Sequence, residues 1–376
     1  MKFKFSARVS DVNLKYQKHW PFLSHGKGNI LLTDQNLSLM NTDGYLLGQQ
    51  LPVKLSAHID DFKQPLLHLV MKASEPIAHW EPWLYQTPLH TVLGRLFKQL
   101  KPQGSSILNL VLDVDLEALA DTWPYRLQLD LKHIHFLKAL PKRLKDLQGQ
   151  LVLTDQGIYS KGLTAQLDQK LMKLFVQTKG VKQHKKVHLS ASTQVSLMGY
   201  LRDFCTQDCI LKGFSDWRLT EEHVWHDWHI PWAVQLSSNL RGTQIHLKNW
   251  IEKSAQLPMK INISGQLSEA NQDWLFKIPT VGVGRIRVPK RGLVSGQISL
   301  GQVTQFPLDT VIHGWSLRAF LPQWPALWTH WIQRYAHKTG SDAQMIKFKG
   351  GFDQVKWGHS SINLRFKANM RLRRLR

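Results

Sequence analysis

In the segment SILNLVLDVDL, residues 106–116, Leu108, Leu110, Leu112, Val114 and Leu116 fall on one side of an extended chain, while Asn109, Asp113 and Asp115 fall on the other. PYRLQLDLKHI, residues 124–134, repeats the arrangement: Leu127, Leu129 and Leu131 oppose Arg126, Gln128, Asp130 and Lys132. PVKLSAHI (52–59) and MKINISGQL (259–267) carry the same alternation. A period of two predicts strands with one apolar and one wet face. Turn signals separate these runs at Gly44, Gly104, Gly149, Gly157, Gly162, Gly180, Gly265 and Gly296. The expected fold is mainly β, built of repeated, predominantly antiparallel hairpins.

Two stretches break the alternation and predict short amphipathic helices. EPWLYQTPLHTVLGRLFKQL (81–100) places Leu89, Val92, Leu93, Leu96 and Leu100 on one helical stripe. AFLPQWPALWTHWIQRYAHK (319–338) sets Leu327, Trp331 and Tyr335 four apart behind Pro325. Either suits a plug or cap laid on a sheet, or a helix lying on a membrane surface.

One phrase is spelled twice, about 120 residues apart: GNILLTDQN at 28–36 and GQLVLTDQG at 149–157. In both, a leucine-rich run meets Thr-Asp-Gln and then Asn36 or Gly157, residues that tolerate tight turns. LLGQQLPVKL (46–55) then runs beside AQLDQKLMKL (165–174), with one gap. Trp20-Pro21-Phe22 is echoed by Trp123-Pro124-Tyr125 and more loosely by Pro231-Trp232, which suits packing at strand entries. No linker interrupts the text. The chain reads as one continuous repeat-type β region over 1–376, with approximate units at 1–120, 121–230 and 231–376.

A hydrophobic share of 43% and 15 tryptophans exclude a disordered chain. No apolar run is long enough to span a membrane as a helix. The start lacks the apolar core of a secretory signal, so a role outside the cytoplasm implies a piece of something longer. The net charge of +22 favours anionic partners: nucleic acid, lipid head groups or lipopolysaccharide phosphates. The bland alternative is solubility, since the basic residues are spread along the chain. Nucleic-acid modules interleave aromatics with Arg and Lys on one surface. Here the tryptophans sit beside prolines and in helical stripes, so no nucleic-acid partner is expected, and a basic nucleic-acid-binding protein is the last of the alternative readings.

Catalytic constellations are missing from the text. His223, His226 and His229 follow Cys205 and Cys209, but His226 faces away from the other two on a strand, and Cys-x₃-Cys is not the usual zinc spacing. No metal is expected. Cys205 and Cys209 either close a small disulfide in an oxidising compartment or remain two free thiols. Gly282 and Gly284 lack the third glycine and the following helix of a dinucleotide site. No enzyme activity and no cofactor are expected.

The stretch WAVQLSSNLRGTQIHLKNWIEKSAQLPMKINISGQL (232–267) resembles YhdP-type proteins of the AsmA-like family. So do VGRIRVPKRGLVSGQI (283–298), the following HGWSLRAFLPQW, and the G-x-L-x-LTDQG hairpins. The resemblance implies a large Gram-negative envelope protein, anchored by one N-terminal helix on the periplasmic side of the inner membrane. Its hairpins would form a long curved sheet whose apolar groove carries phospholipid towards the outer membrane. This chain is short and lacks the anchor, so it is expected to be an internal or truncated segment. Leu108, Leu110, Leu112, Leu127, Leu129 and Leu131 are the candidate groove residues for acyl chains. Lys and Arg on the rim would meet anionic head groups or lipopolysaccharide; other envelope partners are not specified by the sequence. Apart from the resemblance, the same leucine faces suit an ordinary closed core, and hence a structural, scaffolding β protein of the envelope.

Overall fold

The computed structural model describes residues 3–15, 20–48, 50–91, 93–117, 124–137, 144–180, 185–202, 209–224, 231–247, 251–268, 270–279, 281–290, 295–301, 315–321, 344–357 and 360–372. The chain divides into two compact units, the first holding Met1–Leu189 and the second beginning at Ser190.

The first unit is a meander of ten strands: β1 (Lys4–Leu14), β2 (Leu23–Thr33), β3 (Leu37–Leu46), β4 (Leu51–Ile59), β5 (Leu66–Pro76), β6 (Pro102–Asp115), β7 (Tyr125–Phe136), β8 (Leu144–Thr154), β9 (Gly157–Leu167) and β10 (Lys170–Lys179). Each pairs antiparallel with the next. This is the β architecture that the alternation predicts.

The twice-spelled phrase marks two hairpins of one design. At β2–β3 the Thr33 amide donates to the Asn36 carbonyl at 2.9 Å, and Thr33 Oγ1 accepts from the Asn36 amide at 3.1 Å. At β8–β9 Thr154 Oγ1 donates to the Gly157 carbonyl and accepts from the Gln156 amide. A threonine thus closes the Asp-Gln turn in both.

The likeness extends well beyond that phrase. Asn41 on β3 and Gly162 on β9 hold equivalent left-handed positions, φ 51° and 59°. Upstream, an irregularity in each strand pair carries two more left-handed residues, Asp11 with His25 and His133 with Asp146. His25 Nδ1 meets Asp11 Oδ1 at 2.8 Å, and His133 Nδ1 meets Asp146 Oδ1 at 2.6 Å. The two copies have exchanged histidine and aspartate between strands while keeping the pair. The hydrogen bond from His133 holds the Asp146 carboxyl below the ordinary range. After β3 the loop from Leu46 to Leu51 begins with Leu47 and Gly48, whereas β9 turns on Asp168 and Gln169 alone. That shorter loop is the gap in the sequence alignment.

Between β5 and β6 the chain leaves the sheet. A 3₁₀ turn (Ile77–Trp80), α1 (Glu81–Tyr85), a second 3₁₀ turn (Pro88–Thr91) and α2 (Gly94–Leu100) replace the single helix expected over 81–100. Thr87 interrupts it: its Oγ1 donates to the Leu84 carbonyl at 3.0 Å and accepts from the Leu89 amide at 3.3 Å, and Pro88 brings no amide hydrogen.

β11 (Lys186–Val195) contains the boundary between the units. The second unit then has α3 (Met198–Leu201), β12 (Cys209–Gly213), β13 (Ser215–Val224), β14 (Trp232–Ser238), β15 (Thr243–Leu247), β16 (Ile251–Lys253), β17 (Ile261–Leu267), β18 (Asn271–Ile278), β19 (Gly282–Pro289), β20 (Ser295–Leu300), β21 (Trp315–Leu321), β22 (Gln344–Trp357) and β23 (Ser360–Leu372). Its main sheet runs β13-β14-β17-β18-β19-β20 antiparallel, adds β21 and β22 in parallel, and closes its order on antiparallel β23. Of the helix expected over 319–338, residues 319–321 belong to β21 and the remainder lies outside the described residues.

β12, β15 and β16 form a small separate sheet. Lys253 closes it from within: its buried ammonium donates to the carbonyls of Leu240, Thr243 and Ser254 at 2.8, 2.7 and 3.0 Å. All three of its donors are satisfied, which is what a buried lysine requires.

Candidate functional site

The pairing registers align inward side chains into rows that cross the first unit. One row reads Leu55, Met71, Leu110, Leu127, Leu153 and Ile158, on β4 to β9 in order. Another reads Ala73, Leu108, Leu129 and Leu151. The six leucines singled out from the sequence therefore share one face on adjacent strands, with Leu108 opposite Leu129 and Leu110 opposite Leu127. All six are buried, Leu129 at 5% exposure.

The chain itself fills the space over them. Trp80, Trp83, Leu84, Leu89, Leu93 and Phe97 from the segment between β5 and β6 belong to the same buried cluster. Trp80 is pinned to the face: its indole N–H donates to Ser106 Oγ at 3.0 Å, and Ser106 lies opposite Leu131. Trp83 stacks edge-on against both Trp80 and Trp20, each with ring centroids 5.7 Å apart. Trp20, just before β2, reaches Tyr125 at the start of β7, at 6.3 Å between centroids. Five strand spacings in a flat sheet would separate these ends by about 24 Å. Their contact therefore reports a strongly curled sheet. Burial, with the Asp155 charge, pushes the Tyr125 phenol up to about 12.

Among the described residues, the cap carries one unmet polar group. The Trp83 indole N–H is buried without a hydrogen-bond partner, whereas that of Trp80 has Ser106. Both rings are almost wholly buried, so a Phe substitution removes a similar volume at either site. Trp80→Phe is expected to cost about 1–2 kcal/mol more than Trp83→Phe, because only the former breaks a satisfied bond. Thermal melts of the two variants check this; equal losses would count against the cap geometry.

In the second unit the corresponding rows are less covered. Leu219, Leu236, Ile263, Phe276, Gly284 and Ile298 lie in one row on β13, β14, β17, β18, β19 and β20. Beside it run Glu221, Val234, Gly265, Trp274, Ile286 and Gly296. Most of these side chains are half-buried where their counterparts in the first unit are fully buried. The glycines make room for neighbouring rings. A Cβ on Gly265 would lie 2.7 Å from the Trp274 ring, and one on Gly284 would collide with Phe276. Gly284 of the Val-Gly-Val-Gly text thus leaves room for the Phe276 ring.

Glu221 is the exception on this apolar face. Its environment drives the carboxyl up to about 7, and burial is the cause. Alternation from Trp217 through Leu219 places it there from the sequence, although Glu222, the next residue, blurs the pattern. His223 shares the face, is buried, and lies 4.8 Å from the Trp232 ring between centroids. His226 and His229 lie outside the described residues, as does Cys205; Cys209 is buried at the start of β12. Among the described residues no three His, Cys, Asp or Glu side chains are grouped to hold a metal, and no helix is long and apolar enough to cross a membrane.

Set against known proteins, the sequence matches the family described as YhdP protein over residues 1–368. It is 24% identical over 266 residues to "Intermembrane phospholipid transporter YhdP" of Escherichia coli (strain K12). That match covers 70% of this chain and 21% of the relative, so it spans about a fifth of that protein's length. No solved structure matches the chain.

Proposed function

The chain belongs to the YhdP protein family, and from that membership we propose that it forms a length of a non-enzymatic apolar conduit for phospholipid in the cell envelope. The observation that carries this reading is the apolar face of the second unit, continuous from β13 to β20 in register and mostly half-buried; only around Leu236 and Ile263 does it pack against the small core of Leu211, Trp217 and Ile245. Acyl chains laid across such rows would gain about 0.8 kcal/mol per buried CH₂, nearly evenly along the face, so a lipid is held and still slides. Head groups would stay at the wet rim, among lysines and arginines. The setting is the periplasmic side of the inner membrane, where an oxidising milieu suits a Cys205–Cys209 disulfide.

A second reading has its own support. The six candidate leucines are covered by Trp80, Trp83 and the rest of the cap, as in a closed scaffold. On the conduit reading that cap is a plug in the first unit, and lipid occupies the second.

Native mass spectrometry of the purified chain, with lipid extraction, distinguishes the two. Phospholipid is expected to co-purify, and Ile286→Asp, on the part of the face away from that core, is expected to remove it while the protein stays folded. A lipid-free wild-type monomer would overturn the conduit and leave the scaffold.

A further inference from the structure

On the face of the first unit opposite the buried rows lies a cavity of about 1290 Å³. Lys27, Lys54 and Lys72 line it, together with Tyr45, Pro52 and Ile107. The burial pattern fixes the side: Val53 and Leu55 are buried on either side of Lys54, and Met71 and Ala73 flank Lys72 in the same way.

The charges are unevenly matched. Lys27 is in register with Asp43, Asp43 with Lys54, and Lys54 directly with Lys72. Like charges directly opposite each other destabilise a strand pair. No carboxylate among the described residues comes within ion-pair distance of any of the three ammonium groups. Of the two acids lining the cavity, Asp11 is engaged by His25 and Asp43 stands between Lys27 and Lys54.

The second copy of the repeat serves as an internal comparison. Where the first has Lys27, Asp43 and Lys54 in one row, the second has Gln148, Thr164 and Lys173. The hairpins therefore form without Lys27 and Asp43, while a lysine is kept at the Lys54 position.

We propose that this cavity binds a phosphate group carried on an organic moiety. Adjacent strands lie about 4.8 Å apart, so two ammonium groups on neighbouring strands can share the oxygens of one phosphate, a role lysine fills as a point charge. Tyr45, Pro52 and Ile107 supply an apolar wall for the attached group, and the volume exceeds that of a bare ion. The site lies on the wet face and holds whether or not the apolar face carries lipid.

Two sources offer this chemistry, a soluble phosphate ester and a phospholipid head group. Glycerol 3-phosphate is titrated into the full chain by calorimetry at low salt. In parallel, the chain is sedimented with phosphatidylcholine vesicles, with and without phosphatidylglycerol. Binding in either arm is expected, and the arm that binds names the source. The double variant Lys54→Gln/Lys72→Gln is expected to weaken it about tenfold or more. The control Lys161→Gln/Lys173→Gln carries the same charge change on β9 and β10 and is expected to bind like the wild type. All four side chains are exposed, and circular dichroism melts confirm that the variants fold. Equal weakening in the control would show that net charge alone is read and would overturn the site, as would no binding in either arm.

Discussion

Replacing Leu129 by Asp is expected to destabilise the first unit strongly, lowering its stability by at least about 4 kcal/mol. The side chain is nearly fully buried, faces Leu108 on one strand and Leu151 on the other, and lies within the cluster that includes the cap. A carboxyl there finds neither water nor a cationic partner. The loss of the leucine leaves a void, and the new polar group has nothing to satisfy it. In a unit of this size such a loss lowers the melting temperature by about 10 °C or more. The same change at Ile286, on the half-buried face of the second unit, leaves the carboxyl in reach of water and is expected to cost only about 1–2 kcal/mol. The contrast separates two meanings of an apolar face. Where the chain covers its own leucines they form a core; where it leaves apolar side chains half-exposed they form a surface. Thermal and urea unfolding of both variants, followed by tryptophan fluorescence, measures the difference. Should Leu129→Asp melt within a degree or two of the wild type, the face beneath the cap would be accessible and the plug would not seal it.

The strands were legible because their inward positions alternate strictly, and an alternating pattern leaves little freedom of face. Leu108, Leu110, Leu112, Leu127, Leu129 and Leu131 were placed on one face by spacing alone. Spacing says nothing, however, about what covers them. Trp80 and Trp83 stand in a segment whose helical stripe was visible, yet its path over β6 depends on the Trp80–Ser106 hydrogen bond and on Trp20 arriving from a distant strand. The repeat was legible only where it is spelled alike. Asp11 and His133 occupy equivalent positions with different letters, as do His25 and Asp146, because a hydrogen-bonded pair survives exchange of its members. The break of the helix at Thr87 was missed because a leucine stripe outweighs one local hydroxyl in any periodicity.

The second unit is expected to lose stability as pH rises from about 4.5 to 7, and Glu221 is the reason. The fold holds its carboxyl up to about 7, while the unfolded chain releases the proton near the ordinary value of 4.5. Below 4.5 both states are protonated and the group costs nothing. Between the two values the unfolded state gives up its proton and the folded state keeps it, so folding becomes progressively less favourable. Above 7 the full cost of a carboxylate on an apolar face is present, at most about 3 kcal/mol and nearer 2 given its partial contact with water. The groups facing it are Val234 directly across on β14, and Leu219 and His223 along β13. His223 sharpens the test, since a charged imidazolium would favour the carboxylate and move the transition down. Glu221→Gln is therefore expected to match the wild type at pH 3.5 and to exceed it in stability at pH 8, with the pH slope between them removed. Urea midpoints for the two proteins across this range supply the comparison, in which every other titrating group cancels. A stability difference that stays constant with pH would mean that the carboxyl is already solvated, and that the face around Glu221 is wetter than its apolar neighbours imply.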